Sequence, residues 1–232
     1  MRYPLLCLRC IRRSITGQIR KEEKNIKKAM TILYEVHGNL YVNLTNKCPC
    51  ACTFCLRQTR DHMEESDSLW LEHDTTYEEL VEALQQIDAA TMEHYQEVVF
   101  CGFGEPTEAL DVLLRGAAYI KEHYHKPVRI NTNGLGSLIN GEDIAPKLAG
   151  LVDTISISLN TPDAGEYHKL VRSKFGDQSF SAMLQFTKEC TKYVPHVVMT
   201  TVDTTISHED EAACQKICDE LGVKYRIRPW ED

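Results

Sequence analysis

From Met30 onward the chain alternates short runs of β-branched residues with longer stretches of helical spacing, and this alternation limits the fold more than any other feature. The strand candidates are ILYEV, LYVNLT (40–45), EVVFC (97–101), VRINT (128–132), TISISL (154–159), VVMTTV (197–202) and KYRIR (224–228). His37, Gly38 and Asn39 turn the first into the second as a hairpin. Between the strands lie helical patterns: TYEELVEALQQIDAATMEHY, EALDVLLRGAAYIKEHY, EDIAPKLA, a segment over 163–175, SAMLQFTKECTKYV, and EDEAACQKICDEL, which Gly222 closes. Repeated strand, helix, strand units require a parallel sheet with right-handed crossovers. No Pro/Gly/Ser-rich linker interrupts them, so residues 30–232 read as one domain.

Six such units form either an open doubly wound sheet or an incomplete barrel, and the faces of the strands choose between them. In TISISL, Ile155, Ile157 and Leu159 share one face while Ser156, Ser158 and then Asn160 share the other. Arg129, Asn131 and Asn133 oppose Val128 and Ile130 in the same way; Asn43 and Thr45 repeat the pattern, as do Arg226 and Arg228. A sheet covered by helices on both sides would want apolar residues on both faces. Polar faces on several strands predict an α/β fold of the partial, open TIM-barrel kind, with about six βα units around a lumen that holds a polar ligand.

Apolar residues make up 43% of the chain and charged ones 26%, ordinary values for a globular protein. No apolar run approaches the roughly 18 residues that span a bilayer, and YPLLCL lacks a cleavage site, so the expected location is the cytoplasm. The net charge of −8 conceals an asymmetry: residues 1–29 hold nine Lys/Arg against Glu22 and Glu23, a surplus of 9 − 2 = 7, which leaves −15 for residues 30–232. The basic segment lacks the interleaved aromatics of a nucleic-acid arm beyond Tyr3 and any clear amphipathic repeat. It is expected to be a poorly ordered extension, lying even upstream of a natural start at Met30; neither nucleic acid nor membrane is an expected partner.

The ten cysteines are too few for a disulfide scaffold, and four of them crowd into CPCACTFC (48–55), directly after a strand. The carboxyl ends of parallel strands are where such folds build their sites. Cys48, Cys52 and Cys55 form C-x3-C-x2-C, and three thiolates on a four-iron cluster would leave one iron open to a small molecule. Zinc on all four cysteines is the alternative, although four ligands from eight consecutive residues would crowd a tetrahedron. Cys50 then reads as a spectator within the motif, with an alternative ligand or a source of cluster heterogeneity as the lesser readings.

TNKCPCACTFC, with Phe54 before its last cysteine, resembles the cluster motif of the radical S-adenosylmethionine (SAM) enzymes. The resemblance implies a 4Fe-4S cluster on Cys48, Cys52 and Cys55, and SAM chelating the fourth iron. It implies reductive cleavage of SAM to methionine and a 5'-deoxyadenosyl radical, which abstracts a hydrogen atom from the substrate. GFGEPTE (102–108) is similar to the segment of that family that receives the methionine amino group, which points to Gly104, Glu105 and Pro106, with Phe103 standing where the family usually has glycine. NTNG (131–134) resembles a segment of the smaller activating enzymes, which brings in Asn133, while Ser156, Ser158 and Asn160 match a polar position that contacts SAM. Arg228 on the last strand is expected to face the lumen and bind a carboxylate or phosphate. The order of motifs looks closest to the radical SAM proteins encoded beside TatD-type nucleases.

By analogy the electron donor is flavodoxin or ferredoxin. The substrate is either a small molecule or nucleoside in the lumen, or a peptide or protein such as a glycyl-radical enzyme across the open side; no residue identifies the abstracted hydrogen. A non-enzymatic zinc or iron-sulfur module is the rival reading. Cys101, Cys190, Cys214 and Cys218 are read as small apolar residues, with a second metal site on Cys214 and Cys218 as the lesser alternative. Cys7 and Cys10 form a CxxC without a second pair. His123 and His125 suit a helix C-terminus, and GLGSLING fits no nucleotide fingerprint, so no nucleotide beyond SAM is expected.

Overall fold

The computed structural model describes residues 27–230, so the basic segment up to residue 26, with Cys7 and Cys10, lies outside the described residues. One seven-stranded sheet runs through the molecule in simple sequence order. Its strands are β1 Leu33–Val36, β2 Asn39–Val42, β3 Val98–Phe100, β4 Val128–Thr132, β5 Thr154–Ser158, β6 His196–Val202 and β7 Lys224–Arg228. The first pair is antiparallel, joined by His37 and Gly38 at φ 50° and 70°, the double left-handed conformation of a tight hairpin turn. Every later pair is parallel. Among the described residues β1 and β7 are not paired with each other, so the barrel of six parallel strands stays open.

The helices are α1 Tyr77–Gln85, α2 Ala89–His94, α3 Leu110–Tyr124, α4 Gly136–Asn140, α5 Ala164–Val171, α6 Gln178–Cys190 and α7 His208–Leu221. Thr76 and Glu79 start α1 as a reciprocal capping box, Ser207 caps α7, and Gly222 at φ 71° ends it. The pattern expected as one helix over 76–95 is broken in two, because the Asp88 carboxylate accepts from the Thr91 amide and starts a new helix. EDIAPKLA forms a 3-10 turn at Ala145–Leu148 rather than an α-helix. The helix expected over 163–175 stops at Val171, where Arg172 turns left-handed at φ 49°. GLGSLING, for which no helix is expected, contains α4.

The expected division of the strand faces is present. Val98, Phe100, Val128, Ile130, Ile155, Ile157 and Met199 are fully buried and belong to the core under the helices, which includes Leu80, Leu84, Leu113, Ile120, Met183 and the thiols of Cys190, Cys214 and Cys218. The opposite faces point into the lumen. No helix among the described residues is long and apolar enough to cross a membrane.

Candidate functional site

A cavity of ≈ 300 Å³ opens at the carboxyl ends of the strands, and the residues predicted for chemistry border it unequally. Cys52, Phe54 and Cys55 line it from the loop after β2, Gly104 and Glu105 from the loop after β3, Asn133 from the loop after β4, Ser156 and Ser158 from β5, and Arg228 from β7. Cys48 stands behind this wall, half-buried against the core. Pro106 is buried at the start of a 3-10 turn, Pro106–Ala109, that leads into α3. Asn160 is buried at φ 67° with its Oδ1 unpartnered, and it is not part of the cavity wall.

The cysteine loop is held by main-chain bonds from three sides. The last carbonyls of any α-helix lack intrahelical partners; in α5 those of Leu170 and Val171 accept from the amides of Thr53 (2.9 Å) and Ala51 (3.0 Å). The Lys174 amide donates to the Pro49 carbonyl at 2.8 Å, and the Glu105 amide to the Lys47 carbonyl at 2.8 Å. Arg57 completes the frame, donating to the carbonyls of Cys50 (3.0 Å) and Phe103 (3.3 Å), so that one guanidinium ties the cysteine loop to the loop after β3. Sequence reasoning missed Arg57, since only its place two residues after Cys55 marks it.

Within the loop Cys50 lies between Cys48 and Cys52. Its hydrogen bonds to these two thiols, and then burial, push its pKa up and keep it protonated, while the same bonds from Cys50 draw the pKa values of Cys48 and Cys52 down. The Asn133 Nδ2 donates toward Cys50 Sγ at 3.7 Å and Cys48 Sγ at 3.9 Å. Burial pushes Cys55 up, and it senses the charges of Cys52 and Cys48 without bonding to them. Among the described residues no three His, Cys, Asp or Glu side chains converge on a point that could hold a single metal ion, whether here or around Cys214 and Cys218.

Glu105 is buried, and its carboxylate organises the strand ends. Oε1 accepts from the Thr107 amide (3.2 Å), Thr107 Oγ1 (2.8 Å) and Thr132 Oγ1 (2.7 Å), and Oε2 from the Asn133 amide (2.8 Å). Burial pushes its pKa up, against these bonds, which favour the charged form. With the Asn133 amide as its one donor, Oε2 keeps a free lone pair, and Glu105 lines the cavity. Gly104 is required by close approach: a Cβ there would sit 2.1 Å from the Thr45 carbonyl oxygen and 2.7 Å from that of Lys47. Phe103, the departure from the family pattern, also lines the cavity and packs edge-on against Trp70 at 5.4 Å.

Two expected lumen residues do other work. Asn43 Nδ2 donates to the carbonyls of Leu69 (2.9 Å) and Thr31 (3.3 Å), and Thr45 Oγ1 to Asp74 Oδ1 (2.6 Å), so both fasten the segment before α1. Cys101, expected to be a simple apolar filler, borders the cavity. His123 and His125 cap α3, their Nδ1 atoms each 3.0 Å from the carbonyls of Tyr119 and Lys121.

The donor set suits an iron-sulfur cluster: two thiols with lowered pKa values and a third beside them sit in a braced loop, next to a backbone cradle that only glycine permits. The fold is similar to that of several solved structures. With anSMEcpe with bound AdoMet the chain shares 18% identity at a TM-score of 0.58, covering 83% of this chain and 51% of that one. With SuiB of Streptococcus suis bound to its precursor peptide SuiA the values are 17% and 0.58, over 82% and 39%. With a radical SAM methyltransferase from Sphaerobacter thermophilus they are 15% and 0.55, over 85% and 68%. The chain thus spans about half or less of the length of the first two. No curated protein matches it in sequence. A family model described as the Radical SAM superfamily matches residues 42–218, about three quarters of the chain and including the whole cysteine loop, both strand-end loops and β5, and the chain therefore belongs to the radical SAM superfamily, whose enzymes use a 4Fe-4S cluster and SAM.

Proposed function

We propose that this protein is an enzyme that binds a 4Fe-4S cluster through Cys48, Cys52 and Cys55 and cleaves SAM reductively in the cavity at the strand ends. When bound and reduced, the cluster supplies the electron that splits SAM into methionine and a 5'-deoxyadenosyl radical, which takes a hydrogen atom from the substrate. The observation that carries this reading is the meeting of the C-x3-C-x2-C loop, the Gly104 cradle and the polar ends of β4 and β5 on one cavity. In this reading Phe54 borders SAM beside the cluster. The Gly104–Pro106 turn receives the methionine end, with the free lone pair of Glu105 Oε2 as acceptor for the ammonium. Asn133, Ser156 and Ser158 contact the rest of the cofactor, and Asn160 shapes the turn after β5. Cys50 is not a ligand.

Reconstituted protein incubated with SAM and dithionite should release 5'-deoxyadenosine, detected by chromatography. No product above a Cys52→Ala control would overturn the assignment, and zinc in place of iron in anaerobically purified protein would favour the structural-module alternative. Residues 30–232 act as one unit in this proposal, with 1–29 as an extension. A ferredoxin or flavodoxin serves as reductant, and the abundance of free thiols suits the cytoplasm. The motif order supports membership in the TatD-linked group. A glycyl-radical enzyme or another peptide substrate is the second reading, favoured by the open gap between β1 and β7.

A further inference from the structure

Three guanidiniums gather on the lumen side of the sheet: Arg129 from β4, and Arg226 and Arg228 from β7. One carboxylate answers them. Glu97 takes Arg129 in a fork, with Nε at 3.0 Å and NH2 at 2.8 Å, and the remaining Arg129 nitrogen, NH1, donates to Asn131 Oδ1 at 3.1 Å. Burial first, and then Arg129 and Arg228, disfavour the charged form of Arg226, and Tyr41 and Glu97 offset this only in part. Of the three guanidiniums only Arg129 is ion-paired among the described residues, in a region, residues 30–232, that carries −15 overall.

Arg228 is the member of this group that faces the cavity. It has no ion pair among the described residues, and its Nε is shut off from water without a hydrogen-bond acceptor. Cys101, beyond the end of β3, borders the same cavity. A guanidinium so placed is unfavourable until a counter-charge arrives, and its planar fork matches an oxyanion. SAM itself would not need it: the family resemblance implies that its methionine end chelates an iron of the cluster, which the cysteine loop after β2 would hold, whereas Arg228 stands at the end of β7. The same cavity is also lined by apolar and aromatic groups, including Tyr34, Tyr41, Leu69 and Phe103.

We propose that the second reactant in this lumen carries an oxyanion, a carboxylate or a phosphate, that Arg228 receives it, and that its uncharged part lies against Tyr34, Tyr41 and Phe103. The proposal rests on the radical SAM reading and replaces SAM by the substrate as the partner of Arg228. The test is calorimetry on anaerobically reconstituted, SAM-loaded protein, with benzoate, phenyl phosphate and neutral benzamide as probes. At least one anion should bind saturably and at least tenfold more tightly than benzamide; the tighter of the two anions identifies the group. Arg228→Gln should weaken that anion at least tenfold while iron content and SAM affinity stay at wild-type values. Equal binding of benzamide and the anions by the wild-type protein would overturn the proposal, as would a variant that loses SAM affinity instead. Iron analysis before titration keeps the two readings apart, because a preparation that assembles no cluster overturns the enzyme assignment itself.

Discussion

Gly104→Ala is the sharpest probe of how the two strand-end loops are joined. The added Cβ would meet the carbonyl oxygens of Thr45 at 2.1 Å and Lys47 at 2.7 Å, and both are main chain. No side-chain rotation relieves such a contact, so the loops must part by about 1 Å to restore van der Waals spacing. The Glu105 amide, one residue on, bonds the same Lys47 carbonyl at 2.8 Å, and parting the loops breaks that bond. Overpacking of this kind costs about 1–3 kcal/mol, and the lost hydrogen bond adds about 0.5–1.5 kcal/mol. A total near 2–4 kcal/mol corresponds to a fall of roughly 5–15 °C in Tm for a protein of this size. Urea and thermal unfolding of the cluster-free protein measure it, with Gly165→Ala as the internal control. Gly165 lies in α5, and its Cβ would meet only Asp163 Oδ1, at 3.2 Å; alanine there should be neutral or stabilise by up to about 1 kcal/mol. Because Lys47 precedes Cys48, the Gly104 variant should also take up less iron. A Gly104→Ala protein within about 0.5 kcal/mol of wild type would refute the close approach.

Three other outcomes follow from particular side chains. Tyr167 is 1% exposed and its hydroxyl has no partner, so Tyr167→Phe should leave the stability of the cluster-free protein unchanged or raise it by about 1 kcal/mol in urea unfolding. A loss above that amount would mean that the hydroxyl is paired. Cys50→Ala should keep iron at the wild-type level by metal analysis, at a stability cost of about 1 kcal/mol for the lost buried sulfur, whereas alanine at Cys48, Cys52 or Cys55 should abolish cluster assembly; equal losses from all four would make Cys50 a ligand. Glu79 has its pKa held down to about 2, first by the Thr76 amide and then by His73 and the Thr76 hydroxyl. A folded pKa below the usual 4.5 means a contribution present above pH 4.5 and lost as pH falls toward 2. Amide resonances at the start of α1 should therefore shift with a midpoint near pH 2, and Glu79→Gln should abolish that dependence.

The strand faces were legible because alternation is a local property: Ile155 and Ile157 against Ser156 and Ser158 need no partner to be read. The break in the helix over 76–95 was not, since apolar spacing runs on through Leu84, Ile87 and Met92 while one carboxylate, Asp88, restarts the chain. α4 escaped notice because Gly136 within it and Gly134 and Gly141 beside it weigh against a helix; Gly136 fits tightly against Ile144 and Thr107, a contact no local pattern contains. Polar residues were the hardest to assign. Asn43, Thr45 and Arg228 carry the same inward signature, yet the first two commit their donors to Leu69 and Asp74, whereas the Nε donor of Arg228 meets no acceptor; Asn43 Oδ1 is also unpartnered, but only Arg228 of the three lines the cavity.

That distinction also bears on Glu105, which the motif presents as a ligand for SAM. Its four internal donors come from residues 107, 132 and 133, so the carboxylate fixes the ends of β3 and β4 relative to each other before any cofactor arrives. Asn133, positioned by its own amide on Oε2, in turn reaches Cys48 and Cys50 with its side chain. One buried carboxylate thus places the loop after β4 against the cysteine loop, while Arg57 does the same for the loop after β3. Preorganisation of this kind lowers the ordering cost of binding, and it leaves Oε2 a single direction in which to accept an ammonium. A motif residue can therefore act as scaffold and ligand together, with the scaffold role fixing where the ligand must lie.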